Sequence, residues 1–451
     1  MRPVCGCAGR RLAAAGLIVG AALAVSITTA RAEPLPGDAG LLPAGTDLGE
    51  PALEAPRQIL TVERQGGRQS FLVALGNLAF SAPEVLGDPA RRAGISCASC
   101  HVGGEANPAF FLPGHSSRPG NVDVTGPFFN PEADDSLLNP LDIPSLRGSR
   151  HSAPYGRDGR SASLREFTRE VIVTEFAGEE PLPAVLDGLV AYMRQFELLP
   201  NPKLGPGGRL TEVASGAARR GEALFHESFE GMGGVSCASC HVPSAMFLDG
   251  RSHDVGTGGY YDTPTLLNVD FTPPYFHDGR AAGLADVVEH FNRHFTLGLQ
   301  AGERADLVAY LEAVGDGQTP TERTDLAFEM AELEIFTGLL DRTLADRDVP
   351  LTRLVVDTVN RELRKVAERW YRAADRRIRG RIAGWAVQLR RVATLAEEGN
   401  RQAAGAALAD YRTLVAAGIG EVATAEPRST YDPTILDRYL RELRGLAGAG
   451  G

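Results

Sequence analysis

The chain has 451 residues, 43% of them hydrophobic and 23% charged, with a formal net charge of −11 at pH 7. That balance is globular and excludes collagen-like, coiled-coil and polytopic membrane classes, and an acidic surface argues against nucleic acid or anionic lipid as the main partner. With 52 Gly and 29 Pro the chain is rich in turns, so something besides regular structure is expected to fill part of its core.

Residues 1–32 read as a signal peptide. Arg2, Arg10 and Arg11 precede a short apolar run at 12–25, and Ala30-Arg31-Ala32 is a small-x-small cleavage signal. The run is shorter than a comfortable membrane span, so the expectation is export to the periplasm with no membrane span in the mature chain. Loss of this leader removes Cys5 and Cys7 and leaves Cys97, Cys100, Cys237 and Cys240. In the N-terminal segment 33–69, residues 58–63, with 69–75 just beyond its end, flank Arg64-Gln65-Gly66-Gly67-Arg68 in the pattern of a β-hairpin.

Both remaining cysteine pairs sit in the pentapeptide Cys-Ala-Ser-Cys-His, at 97–101 and 237–241. C-x-x-C-H is the attachment signature of c-type haem: two thiols three residues apart add to the vinyl groups, and the following histidine ligates the iron. Zinc ribbons space their cysteine pairs far more closely than Cys97 and Cys237. Two covalently bound haem c groups are therefore expected, on Cys97, Cys100 and His101 and on Cys237, Cys240 and His241.

The duplication runs further. Asp142-Ile143-Pro144-Ser145-Leu146 is echoed by Asp262-Thr263-Pro264-Thr265-Leu266, Asp158-Gly159-Arg160 by Asp278-Gly279-Arg280, and Leu189-Val190-Ala191-Tyr192 by Leu307-Val308-Ala309-Tyr310. Two haem modules, 70–200 and 201–320, account for this, joined through the breaker-rich stretch Gly205-Pro206-Gly207-Gly208. Apolar periodicity predicts helices over 183–196, 211–229 and 302–314. Residues 321–451 are rich in Ala, Leu, Arg and Glu and read as three or four helices. Within them Arg361, Arg364, Lys365, Arg369, Arg372, Arg376 and Arg379 form a basic stripe, read either as a solvated face or as a surface that lies on the acidic haem core. The expected fold is mainly α: two tandem cytochrome c-like haem domains plus a C-terminal helical extension.

Over roughly residues 70–316 the chain resembles the bacterial di-haem cytochrome c peroxidase and MauG family. The carrying residues are the two Cys-Ala-Ser-Cys-His motifs, Thr263-Pro264-Thr265-Leu266-Leu267-Asn268-Val269 and Pro274-Tyr275-Phe276-His277-Asp278-Gly279-Arg280. The resemblance implies two cytochrome c-like folds packed face to face, one haem activating peroxide and the other relaying electrons. It also implies peroxide reduction or oxidation of a partner protein, with a small redox protein as electron donor or acceptor. The alternatives are a non-enzymatic electron-transfer cytochrome or a c-type subunit of a larger oxidoreductase.

Several family positions have changed. Where the family has a Met or Tyr iron ligand this chain has Phe291, which cannot ligate; His294, one turn on, is the candidate replacement beside an ordinary surface role. The distal histidine position falls near Ser117, with His115 the nearest imidazole, and the distal glutamate position falls near Ala177, with Glu175 the chosen acid–base candidate over Glu179 and Glu180. Arg157 stands where the peroxidases carry Trp, while Trp370 and Trp385 lie outside the haem modules. The family's calcium between modules maps onto the Asp142 side chain and the carbonyls of Thr272 and Pro274.

Overall fold

The computed structural model describes residues 42–43, 45–48, 69–318 and 325–448. The leader at 1–32 and the 58–63 half of the expected hairpin lie outside them. The fold is mainly α, with two tandem cytochrome c-like domains and a helical extension. Among the described residues no helix is long and apolar enough to cross a membrane.

The first module contains α1 (Phe71–Phe80), α2 (Asp88–Ala93), α3 (Cys97–Cys100), the antiparallel pair β1 (Asn121–Val122) and β2 (Leu141–Asp142), α4 (Leu164–Glu170) and α5 (Pro183–Met193). The second repeats the plan with α6 (Gly216–His226), α7 (Cys237–Cys240), the pair β3 (Ser252–Asp254) and β4 (Tyr260–Asp262), α8 (Leu284–His294) and α9 (Ala301–Gly315). Among the described residues the extension comprises α10 (Leu326–Asp346), α11 (Val349–Glu368), α12 (Arg376–Glu397), α13 (Arg401–Ala425) and α14 (Pro433–Gly448), five helices where three or four were expected.

The strand expected at 69–75 is instead the start of α1. Ser70 caps that helix, its hydroxyl accepting from Val73 N–H at 3.3 Å, and every residue from Val73 to Phe80 is buried. A helix buried all round needs neighbours on two sides. One is α5, which crosses α1 so closely that a Cβ on Gly76 would overlap the carbonyl oxygen of Gly188. In the second module α6 crosses α9 the same way, with Gly221 set against the Asp306 carbonyl. Four residues beyond each glycine is a phenylalanine, Phe80 or Phe225, packed on Tyr192 (5.4 Å between ring centroids) or Tyr310 (4.8 Å).

The modules interlock by exchanging loops. The loop His277-Asp278-Gly279 of the second module is held by the first: Asp142 N–H donates to the His277 carbonyl (2.8 Å), Asn121 Nδ2 to Asp278 (3.0 Å) and Arg118 Nη1 to Gly279 (2.7 Å). Reciprocally, Asp262 N–H donates to the Arg157 carbonyl (2.8 Å) and Ser252 Oγ to that of Asp158 (2.8 Å). Strand β2 and strand β4 thus play the same part on opposite sides of the seam.

The second neighbour of α1 is α10. Asn77 Nδ2 donates to Glu332 Oε1 at 2.9 Å, the Arg342 guanidinium lies 5.7 Å over the Phe71 ring, and Arg361 pairs with Glu84. The buried apolar cluster of the first module runs on without a break into the extension through Leu333, Phe336 and Leu340. The basic stripe is therefore more than a docking surface. Arg361 reaches the haem core, but Arg369 is turned into the extension, 2.5 Å from Glu329 and over the Tyr431 ring, and Arg379 Nη1 donates to the carbonyls of Trp370 and Arg372. Trp370 is fully buried and its Nε1 donates to the Ala425 carbonyl at 2.9 Å.

Apolar contact with α1 sets the expected behaviour of a chain ended at residue 318. It keeps both haems, since neither Cys-Ala-Ser-Cys-His motif is touched, but melts at a lower temperature and binds an apolar dye at α1. High salt should not release the extension from the full chain, because only exposed pairs are screened away. Salt-induced proteolytic release of 325–448 would contradict this packing.

Candidate haem-binding sites

Each attachment motif is one helical turn with a serine on both sides of its cap. Ser99 Oγ accepts from Ser96 N–H (3.0 Å) and Ser239 Oγ from Ser236 N–H (3.1 Å), so the cap residues lock α3 and α7 into a tight turn. A spacing of three puts both thiols of each pair on one side of that turn. None of the four is in a disulfide, and burial pushes the Cys97 and Cys100 thiols up to about 12 and that of Cys237 up to about 11.

The histidine that follows leaves the helix and is aimed by the repeated Asp-x-Pro block. His101 Nδ1 lies 2.9 Å from the Pro144 carbonyl, and His241 Nδ1 lies 3.1 Å from that of Pro264. A carbonyl can only accept, so Nδ1 carries the proton and Nε2 keeps its lone pair. Burial holds both imidazoles neutral, His101 pushed down to about 4. Phe80 and Phe225 flank these rings at 6.4 Å and 6.5 Å. Two thiols on one turn with a neutral imidazole whose Nε2 is uncommitted are the donor set that covalent haem requires, and the residues fit it twice.

The residues expected on the far side of the first haem share one aromatic cluster. His115 packs between Phe128 (5.6 Å) and Phe129 (5.8 Å), and Phe129 packs on Phe176 (5.1 Å), the residue after Glu175. Glu175 ends a π-helical turn and pairs with Arg160 Nη2 at 2.5 Å; burial raises its pKa and Arg160 opposes the rise. Glu179 and Glu180 are exposed, Glu180 pairing with Arg169. Ser117 donates its N–H to Asn121 Oδ1.

In the second module Phe291 lies 6.2 Å from Phe276, two rings without a coordinating atom. His290 Nε2 donates to the Val255 carbonyl at 2.7 Å. His294 is exposed, stacked on His290 at 5.8 Å with its ring edge against Gly256.

At the seam Arg157 holds Asp142, whose carboxyl burial pushes up to about 7 against the pull of that guanidinium. Thr272 and Pro274 lie just ahead of the exchanged loop, and Gly279 packs against the Pro274 ring. His277, at the repeat position of Arg157, stacks on Tyr261 with centroids 3.8 Å apart and planes 11° from parallel. Sequence reasoning passed over Tyr261, because no motif marks it; the repeat could have found it, since it precedes Asp262 as Leu141 precedes Asp142.

Asp262 has no such guanidinium. Its Oδ1 is buried without a hydrogen-bond partner, and burial, with Asp249 adding to it, pushes the group up to about 6 from 3.8. A carboxyl raised in the folded state binds its proton better there than when unfolded. The resulting stability is complete below about pH 4 and is lost as pH climbs through about 6. Asp262→Asn should therefore flatten the melting-temperature profile across that window and raise it at neutral pH. An unchanged slope in calorimetry would contradict the assignment.

Parts of the chain are similar to known proteins. Residues 216–319 match the family model of di-haem cytochrome c peroxidase. The chain is 26% identical over 230 residues to hydrazine synthase subunit gamma of Kuenenia stuttgartiensis, covering 38% of this chain and 63% of that protein. It is 24% identical over 287 residues to cytochrome c551 peroxidase of Nitrosomonas europaea, covering 55% and 80%. It is 35% identical over 103 residues to the methylamine utilization protein MauG of Methylorubrum extorquens, covering 22% and 28%. Among solved structures, Kuenenia stuttgartiensis hydrazine synthase superposes with a TM-score of 0.39 at 22% identity, covering 68% of this chain and all of that one.

Proposed function

Since residues 216–319 match the family model of di-haem cytochrome c peroxidase, we propose that the chain is an exported di-haem c-type cytochrome with peroxidase-type redox activity. The observation that carries this reading is the duplicated donor set: two capped Cys-x-x-Cys turns, each with a histidine whose Nδ1 is engaged by a proline carbonyl. Haem attached there supplies a redox-active iron able to reduce peroxide or to oxidise a partner, with a small redox protein completing the electron path. Cys97, Cys100, Cys237 and Cys240 hold the two groups, and His101 and His241 offer Nε2 to the metal.

The remaining residues divide the labour between modules. Glu175, half-buried and paired with Arg160, is our candidate to carry a proton in the first module, and His115 packs in the aromatic cluster that includes its neighbour Phe176. In the second module the Phe276 and Phe291 rings supply no ligand, while the His290 Nε2–H already donates to a backbone carbonyl. At least one iron in the purified protein is therefore expected to be high-spin and to respond to peroxide. Electron paramagnetic resonance and visible spectra with added peroxide test this. Two low-spin haems in every redox state, spectrally silent to peroxide, would leave only an electron shuttle.

A second reading, a c-type subunit docked to a larger oxidoreductase, is supported by the match to a hydrazine synthase subunit.

A further inference from the structure

The seam between the modules concentrates oxygen atoms of the kind a hard cation seeks. Asp142, whose side chain is 11% exposed, faces the second module's loop closely enough that its Oδ1 would lie 3.5 Å from a Cβ built on Gly279. Yet two of the three Asp142 oxygens are already engaged. Arg157 Nη2 donates to the Asp142 main-chain carbonyl at 2.6 Å and to its Oδ2 at 3.1 Å. The consecutive carbonyls of His277, Asp278 and Gly279 each accept an N–H from the first module, one of them from the second guanidinium, Arg118.

Calcium wants six to eight oxygens at about 2.3–2.6 Å. To reach Asp142 it would have to share one carboxylate with Arg157, which would leave the partly buried seam with two units of uncompensated positive charge. The guanidinium does not deprotonate, and it is tethered by the chain, so it is present at fixed occupancy whatever the ion concentration. With Arg157 on its carboxylate, Asp142 does not fit calcium, although Asp142, Thr272 and Pro274 are the positions the sequence offered for it.

We infer that Arg157 is the resident cation of the module seam, neutralising Asp142 in the place a divalent ion would take, so that the two haem modules are joined without calcium. The inference rests on the seam alone and does not depend on which redox reaction the haems perform.

The test uses the full-length holoprotein, dialysed against a calcium chelator and then titrated with calcium chloride alone. Calcium bound per chain, melting temperature and visible spectrum are the readouts. The wild type should retain no stoichiometric calcium, and neither chelator nor added calcium should move its melting temperature or spectrum. Arg157→Gln should melt lower and recover part of that loss on adding calcium, because Asp142 is then left without its counter-charge. Arg157→Lys keeps a positive charge and should stay indifferent to calcium. One tightly held calcium per chain in the wild type, or a saturable rise in its melting temperature with calcium, would overturn the inference. If Arg157→Gln cannot be produced folded, the wild-type measurements decide alone.

Discussion

Replacing Cys237 and Cys240 together by Ala halves the pyridine haemochrome absorbance per chain and unfolds the second module well below the melting temperature of the first. The second module's own apolar cluster is small, built on Phe225, Phe229, Phe247, Leu284, Val288, Leu307, Tyr310 and a few others, and Cys237 packs against its edge. The first module is different, because its cluster continues into the extension. Loss of haem from the second module is therefore expected to be the more damaging of the two, and the equivalent Cys97 and Cys100 double replacement the milder. Equal losses of stability would refute the packing argument, and undiminished haem after either pair of substitutions would refute the attachment.

Gly221→Ala should be nearly as harmful, although it adds a single methyl group. That methyl would overlap the main-chain oxygen of Asp306 and crowd Tyr310 Cβ, and backbone cannot swing aside as a flexible side chain can. The crossing of α6 and α9 must open, at a cost at or above the top of the about 1–3 kcal/mol usual for overpacking. Tyr310 moves with it, and so does Phe225, which packs between Tyr310 and His241. Gly384 in α12 provides the contrast: nothing lies within 4 Å of a Cβ there. Gly384→Ala should stabilise the chain by about 0.5–1 kcal/mol, the ordinary gain for a helix interior. Chemical denaturation followed at the haem band and by circular dichroism separates the two, and equal effects would show that the crossing is looser than described.

Much of this site could be read from the residues, for a chemical reason. Haem attachment demands fixed atoms at fixed spacing, so Cys97, Cys100 and His101 announce themselves wherever the fold puts them. The repeat then marked Pro144 and Pro264, but their role as acceptors for the histidine Nδ1 atoms appears only in three dimensions, because a main-chain carbonyl leaves no trace in residue type. Helix α1 was misread because its apolar residues are nearly continuous, and a run buried on every side carries no period to tell helix from strand. The repeated glycine and phenylalanine, Gly76 with Phe80 and Gly221 with Phe225, would have corrected that reading, had the shift of the repeat been allowed to change upstream of the cysteines. The pairing of Arg157 with Asp142 was out of reach, since two loops meet there and neither has a regular period.

The exchange of loops at the seam also has the symmetry of a dimer. Asp142 binds the turn of the other module through His277, and Asp262 answers through Arg157, so the same patch appears on both faces with its donors and acceptors swapped. That is the signature of an isologous contact, the kind made by two identical subunits around a two-fold axis. Joining such a pair into one polypeptide preserves the axis while lifting the requirement that both halves stay alike. The contacts built from main chain have kept their symmetry. The side chains have not: where one half carries a guanidinium at 157, the other carries an imidazole at 277, and that difference gives the chain two unequal ends.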